Sequence, residues 1–364
     1  MLQYLLIMKL IKKILFTDIK IGGKDNSLNL LRLVLATLVL IDHAFPLLGI
    51  GYGPKPLGTP LGVWAVYGFF CVSGYLIAGS KIKNTFGTFI KHRIFRIFPA
   101  YVVVLIITAA LFFPIGHYIQ HGTLDGLFAQ PSPISYVINN ANLGLIVRQP
   151  MIGDSLFQIP HQDWNGSLWT LQWEFLAYLL IGIILLFKRF RNAATMFAIF
   201  AVLTLMQFQS VRLESISEFL RLTPVFFGGA LIYMLKDKLR FNGIIAISSL
   251  IFMVVCVKLF AITGYNGLAL FSPLIVYFML WFSTMFKFGP LGKLTMKYDI
   301  SYGVYIYAFP IQQLLVIMYV NNFIPQPQLW LNNIILIIIT VIFAILSYKF
   351  VEKPALDFGR KKST

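Results

Sequence analysis

Arg32 and His43 lie eleven residues apart within one apolar stretch, Ser27-Leu-Asn-Leu-Leu-Arg-Leu-Val-Leu-Ala-Thr-Leu-Val-Leu-Ile-Asp-His. Eleven residues are close to three helical turns, so one helix would carry both side chains on the same face with roughly 16 Å of rise between them. Ionisable groups inside an apolar span are costly and mark function by default. A neutral imidazole can take a proton from a hydroxyl, and a guanidinium at the far end of the same face attracts an anionic substrate. The pair reads as two ends of one reaction path.

Height within the spans links these residues to others. Measured from the span midpoint, His43 falls roughly 7 Å to one side and Arg32 roughly 9 Å to the other. Glu174, in Trp169-Thr-Leu-Gln-Trp-Glu174, lies about 10 Å below the start of its span and so near the level of His43. The expectation is a general base with a carboxylate that orients it. Trp173 and Tyr178 flank this acid. Toward the other surface, Lys91, Arg93 and Arg96 precede Ile-Phe-Pro99. Arg93 and Arg96 share a helix face at i, i+3, and their forks match phosphate oxygens bidentately, although such charges also serve simply to set topology. Asp42, about 100° around the helix from His43, either pairs with a cation or faces the outer vestibule.

The elements that position these groups must be membrane spans. With 364 residues, 58% hydrophobic and 12% charged, and mean hydropathy +0.80, the composition excludes a water-soluble monomer. The formal charge of +17 sits in short clusters between apolar runs, which fits anionic lipid and topology and not nucleic acid. Ten apolar windows are expected to span: 28–48, 61–79, 97–115, 167–187, 193–210, 217–235, 243–262, 268–287, 299–320 and 330–350. Alternating them puts 24 of the 30 Lys and Arg on the N-terminal side, so the positive-inside rule sets both termini in the cytoplasm. The fold class is therefore an all-α polytopic bundle of about ten transmembrane helices.

Residues 1–26 read as an amphipathic arm on the inner leaflet, 27–354 as the membrane domain with an external loop over 116–166, and 355–364 as a basic cytoplasmic tail. Cys71 and Cys256 fall in apolar runs, which argues against a disulfide or a thiolate metal site. His117 and His121 have the i, i+4 spacing of a helical metal pair, with His161 and Asp163 later in the loop. Spacing fixes no third ligand, and no metal is expected. Gly74, Gly79, Gly228 and Gly229 read as close helix packing. The alternative class is a proton-coupled transporter, against which stands the absence of an internal repeat; a non-catalytic scaffold would give Arg32 and His43 no reason to share a face.

On these residues the chain resembles the acyltransferase-3 family of integral membrane O-acyltransferases over nearly all of 27–354. The family's Arg/Lys-x10-His matches Arg32 and His43, its Phe-Phe-x-x-Ser-Gly-aromatic-Leu-Ile matches Phe69 to Ile77, and its Arg-x-x-Arg with Ile-x-Pro matches Arg93, Arg96 and Pro99. Its Ser-Leu-Trp-x-Leu-x-x-Glu-x-x-x-Tyr matches Ser167 to Tyr178, its Ser-Tyr-Gly-x-Tyr matches Ser301 to Tyr305, and its Glu-x-Pro matches Glu352 to Pro354. Tyr67-Gly68 replaces an acidic residue common before the Phe-Phe pair, and Phe175 follows Glu174 where many members have a second Glu.

The resemblance implies an enzyme of the bacterial cytoplasmic membrane, of the short branch that acetylates sugars of exopolysaccharide or lipopolysaccharide. Acetyl-CoA would be a co-substrate with no permanently bound cofactor, and the acceptor a polymeric or lipid-linked glycan. Lys91, Arg93 and Arg96 would hold the nucleotide, Arg32 would line the route inward, His43 would be the base, and Glu174 would orient the imidazole or the acceptor. Asp42, Asn165, Trp169, Tyr178 and Tyr305 are candidates for acceptor or oxyanion contacts. Direct transfer and an acyl-histidine intermediate both remain open.

Overall fold

In a membrane every backbone amide must be satisfied within its own segment, and long apolar runs with few breakers do this as helices. The computed structural model, which describes residues 27–361 except 210–216, 263, 286–288 and the side chain of residue 291, bears this out. The helices are α1 Leu28–Leu47, α2 Leu61–Lys83, α3 Phe86–His121, α4 Pro133–Asn140, α5 Trp169–Ile184, α6 Ala193–Gln209, α7 Ser217–Leu235, α8 Gly243–Leu259, α9 Gly264–Leu270, α10 Ser272–Met285, α11 Pro290–Lys297, α12 Ser301–Val320 and α13 Leu329–Lys361. No β-strand occurs among the described residues. The N-terminal arm expected over 1–26 lies outside them.

Among the described residues seven helices, namely α1, α2, α3, α5 with its preceding 3-10 turn, α7, α12 and α13, are long and apolar enough to cross a membrane. The pair α9 and α10, bent by 68°, is long and apolar enough only when taken together, and α6 and α8 are shorter apolar helices of 17 residues each. Each of the ten expected windows therefore meets a helix. The window 268–287 is not straight, because Pro273 at the start of α10 has no N–H to continue the ladder from α9.

Two helices run well past their windows. α3 has 36 residues and α13 has 33, and each passes a proline through one π-turn, Thr108–Phe112 before Pro114 and Tyr348–Glu352 before Pro354. A mid-helix proline lacks an N–H and collides with the carbonyl four residues back; the wider turn absorbs both effects and the helix goes on. Lys91, Arg93 and Arg96 thus lie on α3 itself, whose start is capped by the Thr85 hydroxyl accepting the Thr88 amide at 3.3 Å. The tail expected from 355 is helical as far as Lys361 and packs back on α3, with the Phe358 and Phe95 rings 5.4 Å apart. The loop expected on the external side begins only after His121, contains α4, and folds onto the bundle through Trp164, which is fully buried.

α12 is the central element: 83% of its most apolar window is buried, against 22% for the peripheral α13. Lys81 lies within electrostatic reach of Arg191, and His92 of Arg360. These basic segments therefore share one end of the bundle, and the 122–165 loop closes the other.

α2 and α7 approach through paired glycines. A Cβ on Gly74 would lie 1.8 Å from the Phe226 carbonyl oxygen, and one on Gly229 would lie 2.1 Å from that of Cys71. Neither backbone can yield without separating the helices. Gly74→Ala or Gly229→Ala should lower stability by at least the roughly 1–3 kcal/mol of an overpacked core, seen as a lower melting temperature in detergent. Gly87→Ala, whose Cβ would meet nothing within 4 Å, should leave it unchanged.

Candidate active site

Three layers of polar side chains cross the bundle, beginning at the basic end. Arg32 of α1 donates to the Asp299 carboxylate at 2.9 Å, and Arg96 of α3 donates to the same oxygen at 2.7 Å. Ser301 at the start of α12 donates to the other Asp299 oxygen at 2.6 Å. Arg96 also lies 3.7 Å from Glu352, whose carboxylate accepts the Ser347 hydroxyl at 3.1 Å. Burial alone would raise the Asp299 carboxyl, but Arg32, Arg96 and Ser301 outweigh it and hold the group well below the usual carboxylate range. Asp299 sits two residues before the Ser301 to Tyr305 motif.

Arg93 differs from its neighbours. Among the described residues it forms no salt bridge, its Nε is buried without a hydrogen-bond partner, and its guanidinium lies 5.8 Å from the Tyr178 ring centroid. Arg93, Arg96, Lys353 and Arg360, with Asn29 and the acids Asp299 and Asp357, line a cavity of about 650 Å³ at the basic end. Lys91 is not part of its wall. Of the four cations expected to face an anionic donor, Arg93 has uncommitted donors, while Arg32 and Arg96 share the Asp299 carboxylate. An apolar bundle cannot hold three guanidiniums without internal counter-charge.

The middle layer is built on Glu174 of α5. Its Oε1 accepts the Ser73 hydroxyl of α2 at 2.8 Å and the Tyr178 hydroxyl one turn on. Glu174 lines a narrow cavity of about 30 Å³ with Arg32, Phe69, Thr170, Tyr302 and Tyr305, room for about one or two waters.

The third layer holds His43. Its Nδ1 lies 2.8 Å from the Val39 carbonyl; a carbonyl only accepts, so Nδ1 carries the proton and Nε2 keeps its lone pair. The ring stands edge-on to Phe309 of α12, centroids 5.3 Å apart, and Gly166 makes room for Phe309, since a Cβ there would fall 2.6 Å from it. His43 lines a cavity of about 110 Å³ with Asp42, Tyr67, Ser167, Trp169, Arg221 and Tyr265. Val66, Thr170 and Tyr305 form the wall between this cavity and the middle one.

The imidazole is thus oriented by its own helix, and Glu174, hydrogen-bonded to Ser73 and Tyr178, belongs to the layer below. Sequence height placed the two at one level; the side chains point to different cavities. The Tyr305 hydroxyl donates to the Ser167 carbonyl at 2.9 Å and meets the Thr170 hydroxyl at 2.6 Å, so its proton is spent on holding α5 to α12. Asn165 donates to the Ile306 carbonyl at 3.4 Å and accepts from Ser167 at 3.3 Å, a positioning role away from the His43 cavity. Trp169 remains on that cavity wall. One Asp42 oxygen is buried without a partner, while the Leu61 and Gly62 amides at the start of α2 face its carboxylate. Gln313 of α12 donates to the His161 and Asp163 carbonyls, 2.6 Å each, and so ties the external loop over this layer.

A family model described as an acyltransferase domain matches residues 25–349. The chain belongs to the acyltransferase-3 family. It is 30% identical over 353 residues to an O-acetyl transferase of Shigella phage Sf6, covering 93% of this chain and 98% of the relative. It is 25% identical over 375 residues to nodulation protein 10 of Rhizobium leguminosarum bv. viciae, covering 92% and 94%. No solved structure matches. Family membership makes this a membrane acyltransferase and leaves the transporter reading without support.

The Asp299 triad gives a test with a pH signature. Asp299→Asn strands two guanidiniums and should cost about 3–5 kcal/mol, the usual effect of breaking a buried pair. Because the folded carboxyl is depressed, its contribution is complete above the unfolded value of about 3.9 and disappears as pH falls through the folded one. The melting temperature of Asp299→Asn should therefore lie well below wild type at pH 7, and the gap should narrow below about pH 4.

Proposed function

We propose that the chain transfers an acyl group, acetyl first, from cytoplasmic acyl-CoA to a hydroxyl of an extracytoplasmic or lipid-linked glycan. The observation that carries this reading is the His43 tautomer: with Nδ1–H committed to Val39, Nε2 is left as a base on a cavity that backs, through Val66, Thr170 and Tyr305, onto the layer joined to the arginines. The basic end faces the cytoplasm, as the distribution of Lys and Arg requires. The anionic nucleotide docks in the large cavity on Arg93, with Lys353 and Arg360 nearby, and the thin pantetheine arm enters past Arg32 and Glu174. Since the middle cavity holds only a water or two, the arm must displace side chains there to reach His43.

The acceptor enters the His43 cavity from outside. Its hydroxyl gives its proton to Nε2 as the oxygen attacks the thioester carbonyl. Collapse of the tetrahedral intermediate forms the ester and breaks the C–S bond, and the imidazolium returns the proton to the departing thiolate. The Trp169 indole N–H is the best-placed oxyanion donor among the expected candidates, since Tyr305 and Asn165 are committed elsewhere. Asp42, with one oxygen unpartnered on the cavity wall, accepts from an acceptor hydroxyl. The name of one relative, an O-acetyl transferase, supports transfer of an acetyl group to an oxygen.

His43→Gln keeps the size and a hydrogen bond but cannot accept the proton, and should lower kcat for acyl transfer by about 100- to 10,000-fold with insertion intact. Wild-type turnover in purified His43→Gln would remove the base from the scheme.

Arg93 and Arg96 should separate cleanly. Arg93→Ala should raise KM for acyl-CoA about tenfold to a hundredfold, one charge-assisted contact's worth, with folding intact. Arg96→Ala should lower thermal stability as well, because it abandons Asp299 and Glu352. Steady-state kinetics beside a melting curve distinguishes the two, and an unchanged donor KM in Arg93→Ala would return Arg93 to a topological role.

A further inference from the structure

The external end of α3 carries a second cluster that acyl transfer does not use. His117 and His121 are one turn apart on α3, their ring centroids 4.4 Å from each other. The loop brings Asp154 to them, its Oδ1 3.3 Å from His121 Nε2, whereas His161 and Asp163 are engaged by Phe309 and Arg148. One ligand atom from each of His117, His121 and Asp154 lies within 4.8 Å of the other two. His117 Nε2 lies 2.9 Å from the Asp125 carbonyl, so Nε2 carries the proton; the lone-pair nitrogen, Nδ1, is buried with no partner.

From this convergence we propose that His117, His121 and Asp154 form a divalent transition-metal site, with zinc the best match. An imidazole that gives its N–H to a backbone carbonyl and keeps its other nitrogen bare is the usual arrangement of a metal-ligating histidine. Two imidazoles and a carboxylate with water in the fourth position suit zinc. Bonds of about 2.0–2.1 Å around a tetrahedral ion put neighbouring ligand atoms roughly 3.4 Å apart, which the His121–Asp154 separation already matches. An ordinary ion pair between a protonated His121 and Asp154 accounts for that contact but leaves the buried His117 Nδ1 unexplained.

The ion would tie the loop to α3. Ser155, next to Asp154, accepts the Trp164 indole N–H at 2.9 Å, and Trp164 leads directly into Asn165 and the start of α5. Pinning Asp154 thus holds the segment that leads into Ser167 on the wall of the His43 cavity, a structural role separate from the chemistry.

The test uses tag-free, full-length protein purified in detergent, stripped with a chelator and titrated with zinc chloride. The expected result is one zinc per chain and a higher melting temperature with zinc. His117 is buried beside Phe113 and its variants risk misfolding, so the informative changes are at the exposed ligands. His121→Gln and Asp154→Asn should each weaken binding by about 100-fold or more and abolish the thermal shift, while His92→Gln should leave both unchanged. Absence of stoichiometric zinc in the wild type, or equal zinc affinity in His121→Gln, would overturn the site; neither result depends on acyl transfer.

Discussion

A single carboxylate, Asp299, is shared by two guanidiniums that arrive from α1 and α3. Charges of this kind are tolerable in an apolar bundle only when paired and hydrogen-bonded, so their partner fixes where the helices cross. Asp299 stands immediately before α12, the most buried helix, and α12 carries Phe309 against His43, Tyr305 against α5 and Gln313 against the external loop. Placing the start of α12 therefore places most of the His43 cavity. Arg32 and His43 are on one helix, so the same ion pair that seats Arg32 also sets the height of the imidazole.

This pairing has a functional side. With Arg32 and Arg96 occupied by Asp299, and Glu352 close to Arg96, the entrance keeps a positive but limited field. Arg93, with unmet donors at the wall of the large cavity, is the group suited to an arriving phosphate. On the proposed reading the layers divide the work: anion recognition at the basic end, a narrow constriction where Glu174 meets Ser73 and Tyr178, and a base on an aromatic, hydroxyl-compatible cavity at the loop end. The proposed donor, a thioester on a long uncharged arm, matches this order, with its charged nucleotide left at the basic end.

The helical skeleton was legible because ten apolar runs separated by basic clusters leave few other folds. That Arg32 and His43 share one helix was legible from spacing alone, and the packing role of Gly74 and Gly229 from their place among large side chains. Partner identity was not. Glu174 matched His43 in height, but which face of α5 meets α1 depends on tertiary rotation, which gave Ser73 and Tyr178 to Glu174 and left His43 with the Val39 carbonyl. Asp299 was visible as one of only 13 acidic residues, next to a recognisable motif, yet two arginines more than 200 residues away in the chain had to be brought to it before its role emerged. The windows followed apolar residues, so they left out the basic first turns of α3 from Phe86 and the polar last turns of α13 to Lys361.

The claim on which the account turns is that the acyl group crosses the bundle from the arginine end to His43. Sealed inverted vesicles containing the protein and an acceptor glycan in the lumen, supplied with labelled acyl-CoA only outside, test it directly. Labelled lumenal glycan with no free acyl-CoA inside is expected, and that label should be lost in His43→Gln vesicles. Label confined to acceptor on the outer, cytoplasmic face of those vesicles would contradict the path while leaving the enzyme class intact.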